Sequence, residues 1–211
     1  MERNFHLYAL VIIVDVPNCH PAFFIKQDIV RRALEAEDNY NLLFIGPPAS
    51  AKTLFLLGIL DIRRNGVHFD GSNTTNRILD VLEGERPKII CIDELDKMPR
   101  TFQNQLLNFM ESGRIKVNQM RRHYDFEIKG AKVFATCNEI KRLSRPLQSR
   151  FRRLQSPPYT KEQFLQIAVK VCRKLSEETS LIIAEETLEQ QGDIRDMISL
   201  SKLVFAPHDV L

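Results

Sequence analysis

LLFIGPPASAKTLFLLGIL, from Leu42 to Leu60, joins three pieces that make physical sense only together. Leu42 to Ile45 is a short, wholly apolar run, the pattern of a strand buried on both faces of a parallel sheet. Leu54 to Leu60 reads as a helix. Between them Gly46 to Thr53 (GPPASAKT) follows the G-x-x-x-x-G-K-[ST] pattern at every position but one. Such a loop turns backbone N–H groups inward at a helix N-terminus, where the dipole favours phosphate. Lys52 is expected on the β- and γ-phosphates of a nucleotide and the Thr53 hydroxyl on Mg²⁺. Gly46, Pro47, Pro48, Ala49, Ser50 and Ala51 would complete the phosphate cradle. Ala51 stands where the pattern has its second glycine, and Ala49 is a further departure. A Cβ resists left-handed backbone angles yet permits close approach, so the alanines bear on affinity more than on the loop's identity.

A proline-rich turn before a chance Lys-Thr is the competing reading, and the rest of the chain argues against it. Ile89-Ile90-Cys91-Ile92-Asp93-Glu94 is an apolar strand delivering two carboxylates at its C-terminal end, where open α/β sheets bind ligands. Asp93 is expected to hold Mg²⁺ through its water shell, and Glu94 to orient and deprotonate the attacking water. Val133 to Cys137 forms another strand, ending at Asn138, which would position the same water or touch the γ-phosphate. Then comes the basic segment Arg145 to Arg153 (RPLQSRFRR). Most of its arginines read as a solvated helix face, but one could project into a neighbouring subunit's site, where an arginine stabilises charge on a transferring phosphoryl group. Gly192-Asp193-Ile194-Arg195 opens a last helix, with Asp193 suited to its N-cap and Arg195 placed to face the nucleotide.

The 211 residues fit one sizeable domain with a small appendage. Hydrophobic residues at 44% and charged ones at 27% are ordinary for a soluble protein with a real core. Thirty basic against 27 acidic side chains leave +3, too little to argue for nucleic acid, so local clusters must carry that case. The four cysteines lack Cys-x-x-Cys or zinc-like spacing and point to a reducing, cytoplasmic setting. Leu7 to Val16 is apolar but falls short of the roughly 18 to 20 residues a membrane span needs. Asp15 interrupts it and no small-residue cleavage site follows, so a buried strand or docking segment is expected, with no membrane partner.

Helical spacing is expected over Phe24–Ala36, around Ile78–Leu82 and after Pro99, where Phe102, Leu106, Leu107 and Met110 form a stripe. Strands are expected at Val67–Phe69, Lys88–Ile92, Lys132–Ala135 and Arg153–Gln155. Alternating strands and helices imply an α/β fold, a parallel five-stranded sheet with helices on both faces. Pro157-Pro158 divides a nucleotide-binding core, 1–158, from a small helical lid, 159–211. Within the core, Ile115 and Val117 alternate with polar residues, as do Tyr124, Phe126 and Ile128, so 112–130 reads as an inserted β-hairpin.

In this order, the loop, the Asp-Glu strand end, the strand ending in Asn138, the Ser-Arg-Phe segment and the late Gly-x-x-Arg resemble an AAA+ ATPase. The resemblance runs from about Val16 to about Val204. It implies a P-loop NTPase with a three-layer α/β/α core, using ATP and Mg²⁺. It assigns Asn138 to sensor 1, Arg150 to the arginine finger and Arg195 to sensor 2. The 110–138 region and the Pro-Leu-x-x-Arg-Phe segment look most like two groups, the Holliday-junction branch-migration helicase motors and the MoxR-type chaperone ATPases. Both carry a hairpin before the sensor 1 strand, and the MoxR type tolerates alanine before the loop lysine. The 211 residues are expected to leave no room for a branch-migration motor's C-terminal winged helix. The family further implies a homo-oligomeric ring, commonly a hexamer, whose sites each borrow the neighbour's arginine.

Arg121, Arg122 and His123 at the hairpin tip, with Lys116, Lys141 and Arg142 nearby, are spread suitably for DNA phosphates. A DNA-remodelling or helicase-type motor is therefore the leading expectation. A MoxR-type chaperone gripping a protein partner, and an ATP-controlled assembly switch, are the alternatives.

Overall fold

The computed structural model describes residues 21–36, 40–48, 50, 52–62, 65–119, 122–172, 175–190 and 192–204. Among the described residues the elements run α1 (Pro21–Glu35), β1 (Leu42–Ile45), α2 (Lys52–Ile62), β2 (Gly66–Asp70), α3 (Arg77–Glu85) and β3 (Ile89–Asp93). They continue through α4 (Arg100–Ser112), β4 (Arg114–Gln119), β5 (Arg122–Glu127), β6 (Lys132–Cys137), α5 (Arg145–Ser149) and β7 (Arg152–Gln155). The last described elements are α6 (Lys161–Val171), α7 (Glu177–Glu189) and α8 (Ile194–Val204).

Five strands form one parallel sheet in the order β2-β3-β6-β1-β7. Each central strand sends its side chains alternately to two apolar clusters, as the period of two requires. Leu42, Phe44, Ile89, Cys91 and Phe134 enter the first cluster, while Leu43, Ile45, Ile90, Ile92, Val133 and Ala135 enter the second. The first is covered by α1, α2 and the three C-terminal helices. There Phe44 stacks on Phe55 of α2 with ring centroids 5.4 Å apart, a pairing worth about 0.5–1.5 kcal/mol beyond burial. The second cluster is covered by Leu79 and Leu82 of α3, Phe109 and Met110 of α4, and the buried face of β4 and β5. Three layers result.

The helices after Thr160 join the first cluster through Phe164, Ile183 and Ile194. A capping box starts them: the Gln163 N–H donates to the Thr160 hydroxyl at 3.3 Å, and the Thr160 N–H to the Gln163 side chain at 3.1 Å. At the end of α4, Gly113 takes φ 70°, which lets the chain reverse directly into β4. β4 and β5 then pair antiparallel, Ile115 opposite Phe126 and Val117 opposite Tyr124, as the alternating pattern predicts.

One boundary differs from expectation in a way that matters. α2 begins at Lys52, two residues before Leu54, so Lys52 and Thr53 sit in its first turn. β6 spans Lys132–Cys137, with the start at Lys132 and the end at Cys137 both read from the sequence, and buries Thr136 beside β3. Leu7–Val16, Ala49, Ala51 and Arg121 lie outside the described residues.

Candidate nucleotide-binding site

At the end of β1 the chain turns away from the sheet at Gly46. A Cβ on Gly46 would stand 1.9 Å from the Ser156 carbonyl oxygen, so close approach of the chain after β7 excludes any side chain there. Lys52 follows, only 7% exposed. Its Nζ donates to the Pro47 carbonyl at 2.6 Å and to the Ser50 hydroxyl at 3.1 Å, while that hydroxyl donates to Pro47 at 2.8 Å. Burial lowers the pKa of Lys52, and the charges of Asp93 and Asp96 act against that shift. A buried ammonium held by a carbonyl and a hydroxyl gains further from an anion.

Thr53 in the first turn of α2 donates its hydroxyl to Asp93 Oδ2 at 2.7 Å. The other Asp93 oxygen accepts from the Thr136 hydroxyl and from the Glu94 N–H. That same N–H also reaches Thr136 Oγ1 at 2.9 Å. Glu94 itself is left-handed, φ 50° and ψ 47°, a conformation costing about 1–2 kcal/mol for a residue with a Cβ. Packing holds it there: a Cβ on Gly71 would come within 2.4 Å of the Glu94 carbonyl oxygen. The Glu94 carboxylate pairs with Lys97 at 2.7 Å, and this hydrogen bond, foremost, raises the lysine's pKa.

Asn138 follows β6, and the N–H groups of Asn138 and Glu139 donate to the two oxygens of Asp96 at 3.2 and 3.1 Å. Arg195 opens α8 beneath its own cap: Asp193 Oδ1 accepts the Arg195 N–H at 2.7 Å, and Oδ2 accepts from the guanidinium at 2.8 and 3.0 Å. Burial opposes the Asp193 charge, but the Arg195 side chain and amide donors outweigh it and lower the pKa.

Lys52, Thr53, Asp93, Glu94, Asn138 and Arg195 all line one cleft of about 280 Å³. Six residues predicted from four separate stretches of sequence are thus brought together. Asp70, Thr136 and Asp193 line it as well, without having been singled out for it. Among the described residues no group of three His, Cys, Asp or Glu side chains could cage a metal. The Thr53–Asp93 pair nonetheless fits Mg²⁺, which takes few protein oxygens and completes its shell with water and phosphate.

The family profile described as "ATPase family associated with various cellular activities (AAA)" matches residues 42–159, more than half of the chain. The chain belongs to the AAA ATPase family. Human replication factor C subunit 4 is 26% identical to this AAA ATPase over 87% of its chain and 54% of that protein. Two solved structures of Thermotoga maritima RuvB share the fold. A K64R mutant gives a TM-score of 0.64 at 19% identity over 84% of this chain and 58% of its own. The structure titled Holliday junction branch migration motor gives 0.58 at 19% identity over 90% and 64%. The chain therefore spans little more than half the length of these relatives.

Arg150 of the AAA ATPase is placed apart from the cleft. Half exposed after α5, its guanidinium pairs with Glu111 at the end of α4. The hairpin cations are also engaged. Arg122 pairs with Asp80 of α3, and the Tyr124 hydroxyl donates to that carboxylate at 2.8 Å. Arg114 donates to Asp125 at 2.6 Å across the hairpin, His123 meets Asn118, and Arg142 pairs with Glu139 at 2.8 Å. Asp80, Asp96, Lys97, Glu111 and Thr136 escaped the reading of the sequence. Only Asp96, three residues after Asp93 in Asp-Glu-Leu-Asp, carried a local signal.

Proposed function

We propose that this AAA ATPase hydrolyses Mg²⁺-ATP in a site completed by a neighbouring copy, and that turnover drives work on DNA. The observation carrying the reading is the separation of the site's parts. Six residues suited to binding and cleavage share one cleft, while Arg150 stands half exposed elsewhere on the same chain. An arginine so placed serves a neighbour's nucleotide, as a homo-oligomeric ring, commonly a hexamer, would arrange.

Lys52 would grip the β- and γ-phosphates, exchanging its carbonyl and hydroxyl contacts for phosphate oxygens. Thr53 and Asp93 would hold Mg²⁺, which neutralises developing charge on the phosphates when bound. Glu94 takes the proton of the attacking water and must leave Lys97 to do so, while Asn138 orients that water. Arg195 turns from Asp193 to the nucleotide, so the α6–α8 lid, 159–211, follows nucleotide state.

The DNA assignment draws on relatives named for replication and for Holliday junction migration, and on exposed Lys116 and Lys141 near the hairpin. The hairpin's internal pairing favours a second reading, a MoxR-type chaperone whose charge-compensated hairpin grips protein. An assembly switch without turnover is the third. Buried, free Cys91, Cys137 and Cys172 suit a reducing cytoplasm, and no described helix is long and apolar enough to cross a membrane.

The test is ATPase rate against protein concentration, with no DNA, with single strands and with duplex. A specific activity rising with concentration and stimulated by DNA is expected. Concentration-independent turnover would remove the shared site, and indifference to DNA would leave the chaperone reading. No turnover at any concentration would leave the switch.

A further inference from the structure

Glu94 and Asn138, expected on either side of the attacking water, come from different strands, β3 and β6. Hydrolysis needs their separation held to within a fraction of an ångström. The ends of parallel strands are not held by the ladder once the strands stop, so something else must fix them.

Asp96 spans that gap. It sits in the single turn Leu95–Lys97 that starts from Glu94, is 6% exposed, and reaches across to the chain leaving β6. One oxygen accepts the Asn138 N–H at 3.2 Å and the other the Glu139 N–H at 3.1 Å. Among the described residues Asp96 forms no salt bridge, so a buried carboxylate is met chiefly by two backbone amides. Burying a charge is unfavourable unless hydrogen bonds or a partner charge offset the lost hydration, so the two amide contacts hold the carboxylate in place as firmly as it holds them. Its two oxygens fix both the distance and the rotation of the Asn138 turn, which a single hydrogen bond could not.

We propose that Asp96 is a positioning residue for hydrolysis: a two-oxygen clamp on the amides of Asn138 and Glu139 that sets the Asn138 side chain relative to Glu94. This rests on the hydrolytic reading of the cleft. Asp96 does not line the cleft. It governs the cleavage step and leaves nucleotide binding, which Lys52 and the loop provide, unchanged.

The experiment uses the full chain as wild type, Asp96→Ala, Asp96→Asn, Asn138→Ala and the double variant Asp96→Ala/Asn138→Ala. Steady-state hydrolysis at saturating Mg²⁺-ATP is compared with affinity for a non-hydrolysable ATP analogue and with amide hydrogen exchange across residues 133–140. Asp96→Ala should lower kcat about 10- to 100-fold, the effect of a misplacement near 1 Å, and leave analogue affinity within about twofold. Asp96→Asn, keeping one acceptor, should fall between it and wild type. In the Asn138→Ala background the Asp96→Ala change should cost no further rate, because the side chain it positions is gone. The Asn138 and Glu139 amides should lose protection while Phe134 and Ala135 keep theirs.

Additive losses in the double variant, analogue affinity falling in step with kcat, or unchanged protection at Asn138 and Glu139 would each overturn the proposal. If Asp96→Ala does not fold, Asp96→Asn carries the same comparisons. A wild-type chain that binds ATP without turnover would sink the hydrolytic reading, while the exchange measurement still decides whether Asp96 is the clamp.

Discussion

The nucleotide cleft and the β4–β5 hairpin both gather charge, but they hold it in opposite ways. In the cleft, charged groups are restrained by contacts that ligand can replace: Lys52 by a carbonyl and a hydroxyl, Arg195 by its own cap, Glu94 by Lys97. On the hairpin, Arg114 and Arg122 are joined to carboxylates of the fold, and Tyr124 buries its ring while its hydroxyl locks Asp80. The first region is arranged to exchange partners. The second is arranged to keep them, and through Asp80 it is tied to α3.

That contrast can be broken most forcefully at Arg150. Arg150→Ala should cut turnover about 10³-fold or more, the size of a missing finger, with analogue affinity intact. Lost affinity in a normally assembled oligomer would place the finger elsewhere. Glu94→Gln should lose about 10²–10⁴ in kcat, as removal of a general base does, while ATP still binds. A residual rate near wild type would transfer the base to another residue.

On the hairpin side, Asp80→Ala leaves the buried Tyr124 hydroxyl without its acceptor and should destabilise by about 1–3 kcal/mol. That corresponds to roughly 2–12 °C in Tm for a chain of this size. The same change frees Arg122, so a DNA-binding hairpin should gain affinity at low salt. Unaltered DNA affinity would remove Arg122 from the DNA reading.

The smallest effect concerns Asp193. Its folded pKa is depressed, so the stability it contributes is complete above the unfolded carboxylate value of about 3.9. That contribution disappears as pH falls through the lower folded value. Asp193→Asn should therefore cost about 0.5–1 kcal/mol near neutrality, with the gap to wild type closing in acid. A gap that persists in acid would show that the Asp193 charge contributes nothing to stability.

The same contrast explains what the sequence revealed. The core was legible because each of its signals is local. LLFI is bounded by a loop and a helix, IICIDE ends in its carboxylates, and the hairpin alternates strictly. The observed β1, the hairpin register and the six cleft residues follow from those signals. What escaped depends on partners far along the chain. Arg122 reads as a free cation until Asp80, 42 residues earlier, is packed beside it. Thr136 looks like one more strand residue until its hydroxyl meets Asp93 from the adjacent strand. Charge on a surface is a property of residues in pairs, and pairing is decided by the fold.

On the proposed role of Glu94 as general base, its left-handed backbone sets function against durability at a single codon. The conformation is one that glycine adopts freely, whereas a glutamate there carries about 1–2 kcal/mol of strain. Glu94→Gly should relax the turn and raise Tm by a few degrees even as it abolishes turnover. A screen for heat resistance alone would therefore drift toward inert protein at this position, and only a demand for ATP turnover would hold the glutamate in place.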